Sequence, residues 1–193
     1  MTDDEFLALA FTNPNNEELL SRLAALALPD CWLVSGALFQ TVWNVLTNRP
    51  PTHGIKDYDV FYFDDRDLSY DAEDTVIQWV EEATADMGIE VEVRNQARVH
   101  LWYSEKFGGT YPPLKNGYES IDRFLVKACM VGVTRQGPGE YQLYAPAGLE
   151  DVTNMITRPN VTPNYAPDKY TAKVSRWKEA WPELTVLPSV PAQ

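Results

Sequence analysis

The run from Asp57 to Asp64 constrains the fold more than any other part of the chain, since it reads Asp-Tyr-Asp-Val-Phe-Tyr-Phe-Asp. Its aromatic and β-branched residues predict a β-strand over 57–63. Side chains alternate between the two faces of a strand, so Asp57 and Asp59 share one face, with Cα atoms about 6.6–7 Å apart. Unpaired charge in a buried strand is costly. The pair therefore indicates either a bound metal or a turn before a strand that begins at Val60.

Helices and strands alternate along the rest of the chain. The hydrophobic pattern predicts helices over 3–11, 17–27, 38–46, 70–87, 95–102, 118–128, 147–154 and 168–180. It predicts strands over 31–34, 57–63 and 89–94 and a hairpin of 129–134 with 141–145. Asn15 or Asn16 is the expected N-cap of the second helix. This order predicts an α/β (α+β) fold with a mixed β-sheet flanked by helices and further helices at both termini. We expect a single domain over 1–193, with an extended tail over 182–193.

Composition and charge exclude several classes of function. The chain has 193 residues, of which 45% are hydrophobic, and a formal net charge of −12. Such a charge repels phosphate backbones, so broad nucleic-acid binding is not expected. No apolar stretch approaches the roughly 20 residues that span a bilayer, and the acidic N-terminus lacks the basic region of a signal peptide, which favours the cytoplasm. Cys31 and Cys129 have no metal-binding spacing and are expected to be reduced core residues.

Two further features accompany the aspartate pair. The strand over 31–34 runs into Ser35-Gly36 and then directly into a helix, where small residues let backbone amides approach a phosphate. The alternating strand over 89–94 carries Glu92. If that strand lies beside the aspartate strand, Glu92 completes a site of three carboxylates; Glu90 shares its face and is the competing candidate. The alternative is a Glu92 that faces solvent on a half-exposed sheet.

This order of elements resembles the DNA polymerase beta-like nucleotidyltransferase superfamily. The superfamily pattern is a small-residue turn at a helix start, a strand with two acids and a third acid on a later strand. It is matched here by Val34-Ser35-Gly36-Ala37, Asp57-Tyr58-Asp59-Val60 and Glu92. More closely, the chain resembles a bacterial nucleotidyltransferase-like family of about this length. The resemblance rests on Tyr62-Phe63-Asp64, the run from Glu92 to Tyr103, Ala145-Pro-Ala-Gly-Leu149 and Arg158-Pro159-Asn160.

The resemblance implies an enzyme that needs Mg²⁺, with Mn²⁺ as an alternative metal. It would move a nucleoside monophosphate from a nucleoside triphosphate to a small-molecule or protein acceptor. The implied catalytic and metal-binding residues are Asp57, Asp59 and Glu92. The implied nucleotide-binding residues are Ser35, Gly36, Arg94 and Arg98.

Other interpretations of the same residues stay open at this point. Arg94 can simply pair with Glu92, and Arg98 can be a surface residue of a helix. The superfamily's usual small pair is Gly-Gly or Gly-Ser, whereas this chain has Ser35-Gly36. The rival functions are therefore a catalytically inactive relative that binds nucleotide or protein as a regulator, and a metal-dependent phosphohydrolase. The nucleotide base and the acceptor are not specified by any motif.

Overall fold

The computed structural model describes residues 1–191, which contain seven α-helices and seven β-strands. The helices are α1 (Asp3–Ala10), α2 (Pro14–Leu26), α3 (Gly36–Leu46), α4 (Tyr70–Thr84), α5 (Val99–Phe107), α6 (Glu150–Thr153) and α7 (Pro167–Ala180). The strands are β1 (Trp32–Val34), β2 (Tyr58–Tyr62), β3 (Val91–Asn95), β4 (Gly132–Gly137), β5 (Glu140–Tyr144), β6 (Ile156–Thr157) and β7 (Thr185–Val186). Short 3₁₀ segments span Gln96–Arg98, Glu119–Arg123 and Lys127–Cys129.

Five of the strands form one mixed sheet in the order β3-β2-β1-β4-β5. Strand β3 runs parallel to β2, whereas β1 is antiparallel to both of its neighbours and β4 is antiparallel to β5. Parallel neighbours need a crossover connection, and α4 provides it between β2 and β3. Strands β6 and β7 form a separate parallel pair. The predicted mixed sheet flanked by helices is therefore present.

Strand β2 shows how the sequence separates the two faces of this sheet. Tyr58, Val60 and Tyr62 are buried, whereas Asp59 and Phe61 between them are only half-buried. This is the alternation expected of a strand with one face in the main core. The opposite face, which carries Asp59, is the one on which a polar site can form.

The main core packs against the Tyr58 face and is rich in tryptophan. Trp43 of α3 is fully buried, and its ring centroid lies 4.7 Å from that of Phe39, 5.8 Å from Trp177 and 5.7 Å from Trp181. Its indole N–H donates to the carbonyl of Val152, at 3.1 Å. Edge-to-face aromatic packing of this kind stabilises a core beyond the area that it buries. Helices α3 and α7 are thereby joined to one another behind the sheet.

A smaller apolar cluster lies on the other face of the sheet. It contains Trp32, Val34, Ile121 and Met130, with Phe124 packed against it. The segment that includes Ile121 and Phe124 thus covers part of this face, beside the half-buried residues of β2. Within residues 1–191, no helix has both the length and the apolar character needed to cross a bilayer.

Two local predictions are wrong. The N-cap of α2 is Asn13, because Pro14 occupies the first helical position, where a missing N–H costs nothing. The predicted helix over 118–128 is replaced by two 3₁₀ segments, because Val126 pairs as an extended residue with Pro159. The predicted extended tail is only partly testable: β7 lies in it, and residues 192–193 are outside the described part.

Trp43→Ala is expected to lower the free energy of unfolding by about 3–5 kcal/mol, because it leaves a large cavity and removes the hydrogen bond from the indole to the Val152 carbonyl. The matched control is Trp79→Ala, since Trp79 is 52% exposed and should change stability by less than about 0.5 kcal/mol. Urea unfolding of both variants measures the difference. Similar losses in the two variants would contradict this account of the core.

Candidate active site

The register of the central strands brings three sequence features together. Asp59 pairs with Val34 of β1 on one side and with Glu92 of β3 on the other. Directly paired residues project from the same face, so Asp59 and Glu92 stand side by side. Ser35 and Gly36 follow Val34 immediately and therefore lie on the β1 side of the acids. The expected adjacency of the Glu92 strand and the aspartate strand is confirmed.

The turn between β1 and α3 has the backbone of a specialised site. Ser35 has φ 57° and ψ −117°, a conformation that residues with a side chain rarely adopt. Its carbonyl accepts hydrogen bonds from the amides of Leu38 and Phe39, at 3.0 and 3.2 Å. The amides of Gly36 and Ala37, which begin α3, have no acceptor among residues 1–191. The Gly36 N–H, at the positive end of the helix dipole, therefore remains available to an anion, whereas the Ala37 N–H is buried.

Gly36 leaves open space beside these amides. A Cβ added at this residue would come no closer than 3.7 Å to its nearest neighbour, the amide nitrogen of the Gln40 side chain. Packing inside the protein therefore does not demand glycine here. Ser35 is 5% exposed and its hydroxyl does not cap α3. The backbone amide of Gly36, rather than the Ser35 side chain, is the clearer phosphate-binding feature.

The three acids repel one another in a partly buried setting. Burial raises the pKa of Asp59 to about 7, with further contributions from the charges of Asp57 and Glu92. Lys173 and Arg94 offset part of this effect. The carboxylate of Asp59 takes part in no ion pair or side-chain hydrogen bond among the described residues. The negative charge of Asp59 is therefore compensated only through space, without a direct partner.

The other two acids, Asp57 and Glu92, each lie near a cationic side chain. Glu92 pairs with Arg94 at 2.7 Å, and Asp57 lies 3.9 Å from the amine of Lys56. In the described part of the chain, no group of three or more His, Cys, Asp or Glu side chains is already gathered around one point as a metal site. Carboxylate oxygens are nevertheless the ligands that Mg²⁺ prefers, and a divalent cation would offset the repulsion from Asp57 and Glu92 that adds to the effect of burial on the pKa of Asp59. Asp59, which forms no ion pair among the described residues, is the acid best suited to such an ion, and Glu92 would first have to separate from Arg94.

A cleft of about 290 Å³ opens next to Asp59 and Glu92, on the β3 side. Aromatic rings supply most of its walls: Phe61, Trp102, Tyr103, Phe107, Tyr111 and Phe124. Arg94, Lys106 and Arg123 bring positive charge to the same cleft, whereas Ser35 and Gly36 do not line it. Asp59 therefore lies between the turn at the start of α3 and the aromatic cleft.

Arg98 does not belong to this site. Its guanidinium is buried, forms an ion pair with Glu73 of α4 and donates to the carbonyl of Leu68 at 2.8 Å. The prediction that Arg98 binds the nucleotide is therefore wrong, because donors already bound to a buried carboxylate are not available to a phosphate. Arg94, by contrast, lines the cleft. It also forms an ion pair with Glu92, which was the alternative interpretation of this residue.

Three residues near the acids were not found from the sequence. Lys173 of α7 acts electrostatically on Asp59, and Ser120 and Arg123 line the cleft. All three are distant in sequence from the motifs, and a lone lysine on an amphipathic helix resembles a solvated residue. The one available signal was the later part of the chain, which is richer in basic residues than the acidic first half.

Comparisons with known proteins agree with this geometry. A family model described as nucleotidyltransferase matches residues 21–186. A solved NMR structure, described as revealing a CCA-adding enzyme head domain, has a TM-score of 0.76 and 24% identity, with 97% of each chain covered. At that identity the likeness shows the fold, and it confirms the predicted sheet with flanking helices. No curated protein matches the chain.

Arg98→Met should destabilise the protein by about 3–5 kcal/mol, because it leaves the Glu73 carboxylate buried without its partner. Arg66→Met is the matched control: Arg66 also pairs with an acid, Asp64, but is exposed, so its loss should cost less than about 1 kcal/mol. Chemical unfolding measures both. Loss of nucleotide affinity in an Arg98→Met protein of unchanged stability would show that Arg98 does belong to the nucleotide site.

Proposed function

Because the chain belongs to the nucleotidyltransferase family, we propose that it is a Mg²⁺-dependent enzyme that transfers a nucleoside monophosphate from a nucleoside triphosphate to a hydroxyl group of an acceptor. The observation that carries this proposal is the register Val34–Asp59–Glu92, which aligns a helix-start turn with two acids on adjacent strands. Such an alignment has no evident structural purpose, because it places Asp59, which forms no ion pair with the described residues, beside a second acid.

Asp57, Asp59 and Glu92 would hold the metal. When bound there, Mg²⁺ would supply positive charge that stabilises the entering and leaving oxygens of the reaction. The protein's own contribution begins at the start of α3, where the amide of Gly36 would donate a hydrogen bond to an oxygen of the outer phosphates. The missing side chain of Gly36 lets the phosphates approach the backbone closely.

In the reaction, one phosphorus–oxygen bond forms at the α-phosphorus and another breaks. Glu92 would accept the proton of the acceptor hydroxyl, and the oxygen would form a bond to the α-phosphorus. The bond from that phosphorus to the bridging oxygen breaks, and pyrophosphate leaves with the electron pair. Lys173 and Arg94, the cations that act on Asp59, are suited to balancing the charge of the phosphates. Glu92 can serve as base only once it separates from Arg94.

The acids are tested by Asp59→Asn and Asp57→Asn, with Asp65→Asn as a control at an exposed acid of the following loop. Calorimetry with each of the four nucleoside triphosphates and Mg²⁺ should show binding that weakens at least about tenfold in both site variants and not in the control. Folding should be retained or improved, because clustered negative charge is removed. Unchanged nucleotide affinity in Asp59→Asn would refute the proposed site.

The products distinguish the rival functions. Release of pyrophosphate that depends on an added acceptor or cell extract supports transfer, whereas release of inorganic phosphate with water as the acceptor indicates a phosphohydrolase. Tight binding of triphosphate without any product in either assay indicates a regulator that has kept the fold. Each outcome is read with label on the α-phosphate and on the γ-phosphate in parallel.

Gly36→Ala separates ligand binding from folding. The added methyl group meets only ordinary contacts within the protein, so the thermal midpoint should stay the same or rise slightly. The methyl group would occupy the space that a phosphate needs, and loss of hydrogen bonds to a charged group should weaken triphosphate binding about tenfold or more. Differential scanning fluorimetry and calorimetry measure the two effects. A variant that binds triphosphate normally would remove the phosphate role from this turn.

A further inference from the structure

Two polar groups in the wall of the aromatic cleft are buried and have no partner. The hydroxyl of Ser120 and the Nη1 atom of Arg123 are shielded from solvent and make no hydrogen bond to any of residues 1–191. Ser120 as a whole is only 5% exposed. An unsatisfied buried hydroxyl costs free energy, and an unsatisfied charged group costs more. Both costs disappear if a ligand supplies the acceptor.

The two groups belong to one short element and share one face of it. Ser120 and Arg123 lie three residues apart in the 3₁₀ segment Glu119–Arg123. Side chains three residues apart on such a helix eclipse one another, and both residues line the cleft. The guanidinium carbon of Arg123 lies 4.2 Å from the centre of the Tyr111 ring, a cation–π contact that holds its plane against the cleft wall. Its donors are thus pre-positioned.

The acids nearest to Arg123 in sequence are engaged elsewhere. Asp122 accepts a hydrogen bond from the hydroxyl of Tyr144 at 2.8 Å, and Glu119 accepts one from the backbone amide of Lys115 at 2.7 Å. Arg123 forms no ion pair with any residue in the described part of the chain. A guanidinium with five donors and no acceptor capacity, placed beside a free hydroxyl, is suited to a carboxylate or a phosphate.

The position of the cleft shows which substrate would bring that anion. In phosphoryl-group transfer the entering and leaving oxygens lie roughly in line on opposite sides of phosphorus. Under the proposed function, pyrophosphate lies at the Gly36 turn, on the β1 side of Asp59. The entering hydroxyl must then come from the opposite side, where Glu92 and the cleft lie. The cleft is therefore placed for the acceptor and not for the triphosphate.

We propose that the aromatic cleft is the acceptor site, and that Ser120 and Arg123 bind an anionic group of a small acceptor with a flat ring. This inference rests on the proposed function. The ring would pack between the aromatic walls, and the carboxylate or phosphate would receive hydrogen bonds from the Ser120 hydroxyl and from Nη1 of Arg123. The same acceptor carries the hydroxyl that Glu92 deprotonates.

Size and charge favour a small acceptor over a macromolecule. The cleft of about 290 Å³ lies at the lower end of small-molecule sites, which are about 300–1,000 Å³ in volume. The net charge of −12 disfavours an extended polyanion, whereas a single anionic group can be bound by one half-buried guanidinium. A small ring with one anion matches both properties.

The test uses three probes with one ring each: benzoate, phenyl phosphate and benzyl alcohol as the neutral control. Ligand-observed NMR with the intact protein should show that the two anions bind and that benzyl alcohol binds at least about tenfold more weakly. The order of benzoate and phenyl phosphate identifies the carboxylate or the phosphate as the preferred anion. Equal binding of all three probes would overturn the proposal.

The variants assign the binding to the two residues. Arg123→Gln should weaken the anionic probes about tenfold to a hundredfold, and Ser120→Ala about threefold to tenfold. Arg123→Lys should recover only part of the loss, because an ammonium lacks the planar fork. Arg176→Gln, which removes the same charge from an exposed position of α7, should have no effect. Unchanged probe binding in a folded Arg123→Gln protein would overturn the proposal.

Triphosphate binding in the same variants separates this proposal from the one on which it rests. Affinity for the nucleoside triphosphate with Mg²⁺ should be unchanged in Arg123→Gln and Ser120→Ala. If the unaltered protein binds no triphosphate, the proposed function fails, whatever the probes do. If Arg123→Gln loses triphosphate and not the anionic probes, only the acceptor assignment fails. Tighter binding of an RNA trinucleotide than of either anion, again lost in Arg123→Gln, would replace the small acceptor with a nucleic acid.

Discussion

The pairing of Asp59 with Val34 on one side and Glu92 on the other is the constraint on which the whole site depends. Because β1 is antiparallel to β2 and β3 is parallel to it, the end of β1 and the second residue of β3 both meet β2 at Asp59. A shift of either neighbour by one residue would turn its side chains to the opposite face. The start of α3 and the Glu92 carboxylate are thus positioned by backbone hydrogen bonds, which are stiffer than side-chain contacts.

Asn95 and Glu73 explain why this register holds at the far end of β3. The Asn95 amide group accepts a hydrogen bond from the backbone of Asp64 and donates one back, at 3.1 and 2.8 Å, which ties the end of β2 to the end of β3. The Asn95 backbone N–H donates to Glu73 at 2.8 Å, and the second oxygen of that carboxylate pairs with Arg98. Asn95 and Arg98 therefore anchor the sheet and do not line the cleft, whereas Gln96 between them does.

Asn160 has a comparable role at the cleft. Its side-chain amide donates to the carbonyls of Asp122 and Phe124, at 2.8 and 2.9 Å, and its backbone amide donates to Leu125. These bonds hold the segment after Arg123 in an extended form and keep Ser120 and Arg123 in the wall. The Arg158-Pro159-Asn160 motif thus supports the wall of the aromatic cleft from a segment far away in sequence. The chain around 120–126 has too few local hydrogen bonds to hold its own shape.

The sequence by itself determined the features that depend on local periodicity. Alternation along 57–63 placed Asp59 on the face opposite to Tyr58, Val60 and Tyr62. A small-residue turn between an apolar strand and a helix placed Gly36 at the start of α3. It did not determine that Arg98 is buried against Glu73, that 118–128 is not a helix, or that Ser120, Arg123 and Lys173 lie near the acids. These features depend on contacts between segments far apart in the chain. In the segment 118–128, for example, the pairing of the extended residue Val126 with Pro159 overrode the local preference for a helix. Only tertiary structure decided them, because burial and hydrogen-bond satisfaction are properties of the packed chain and not of any short stretch of it.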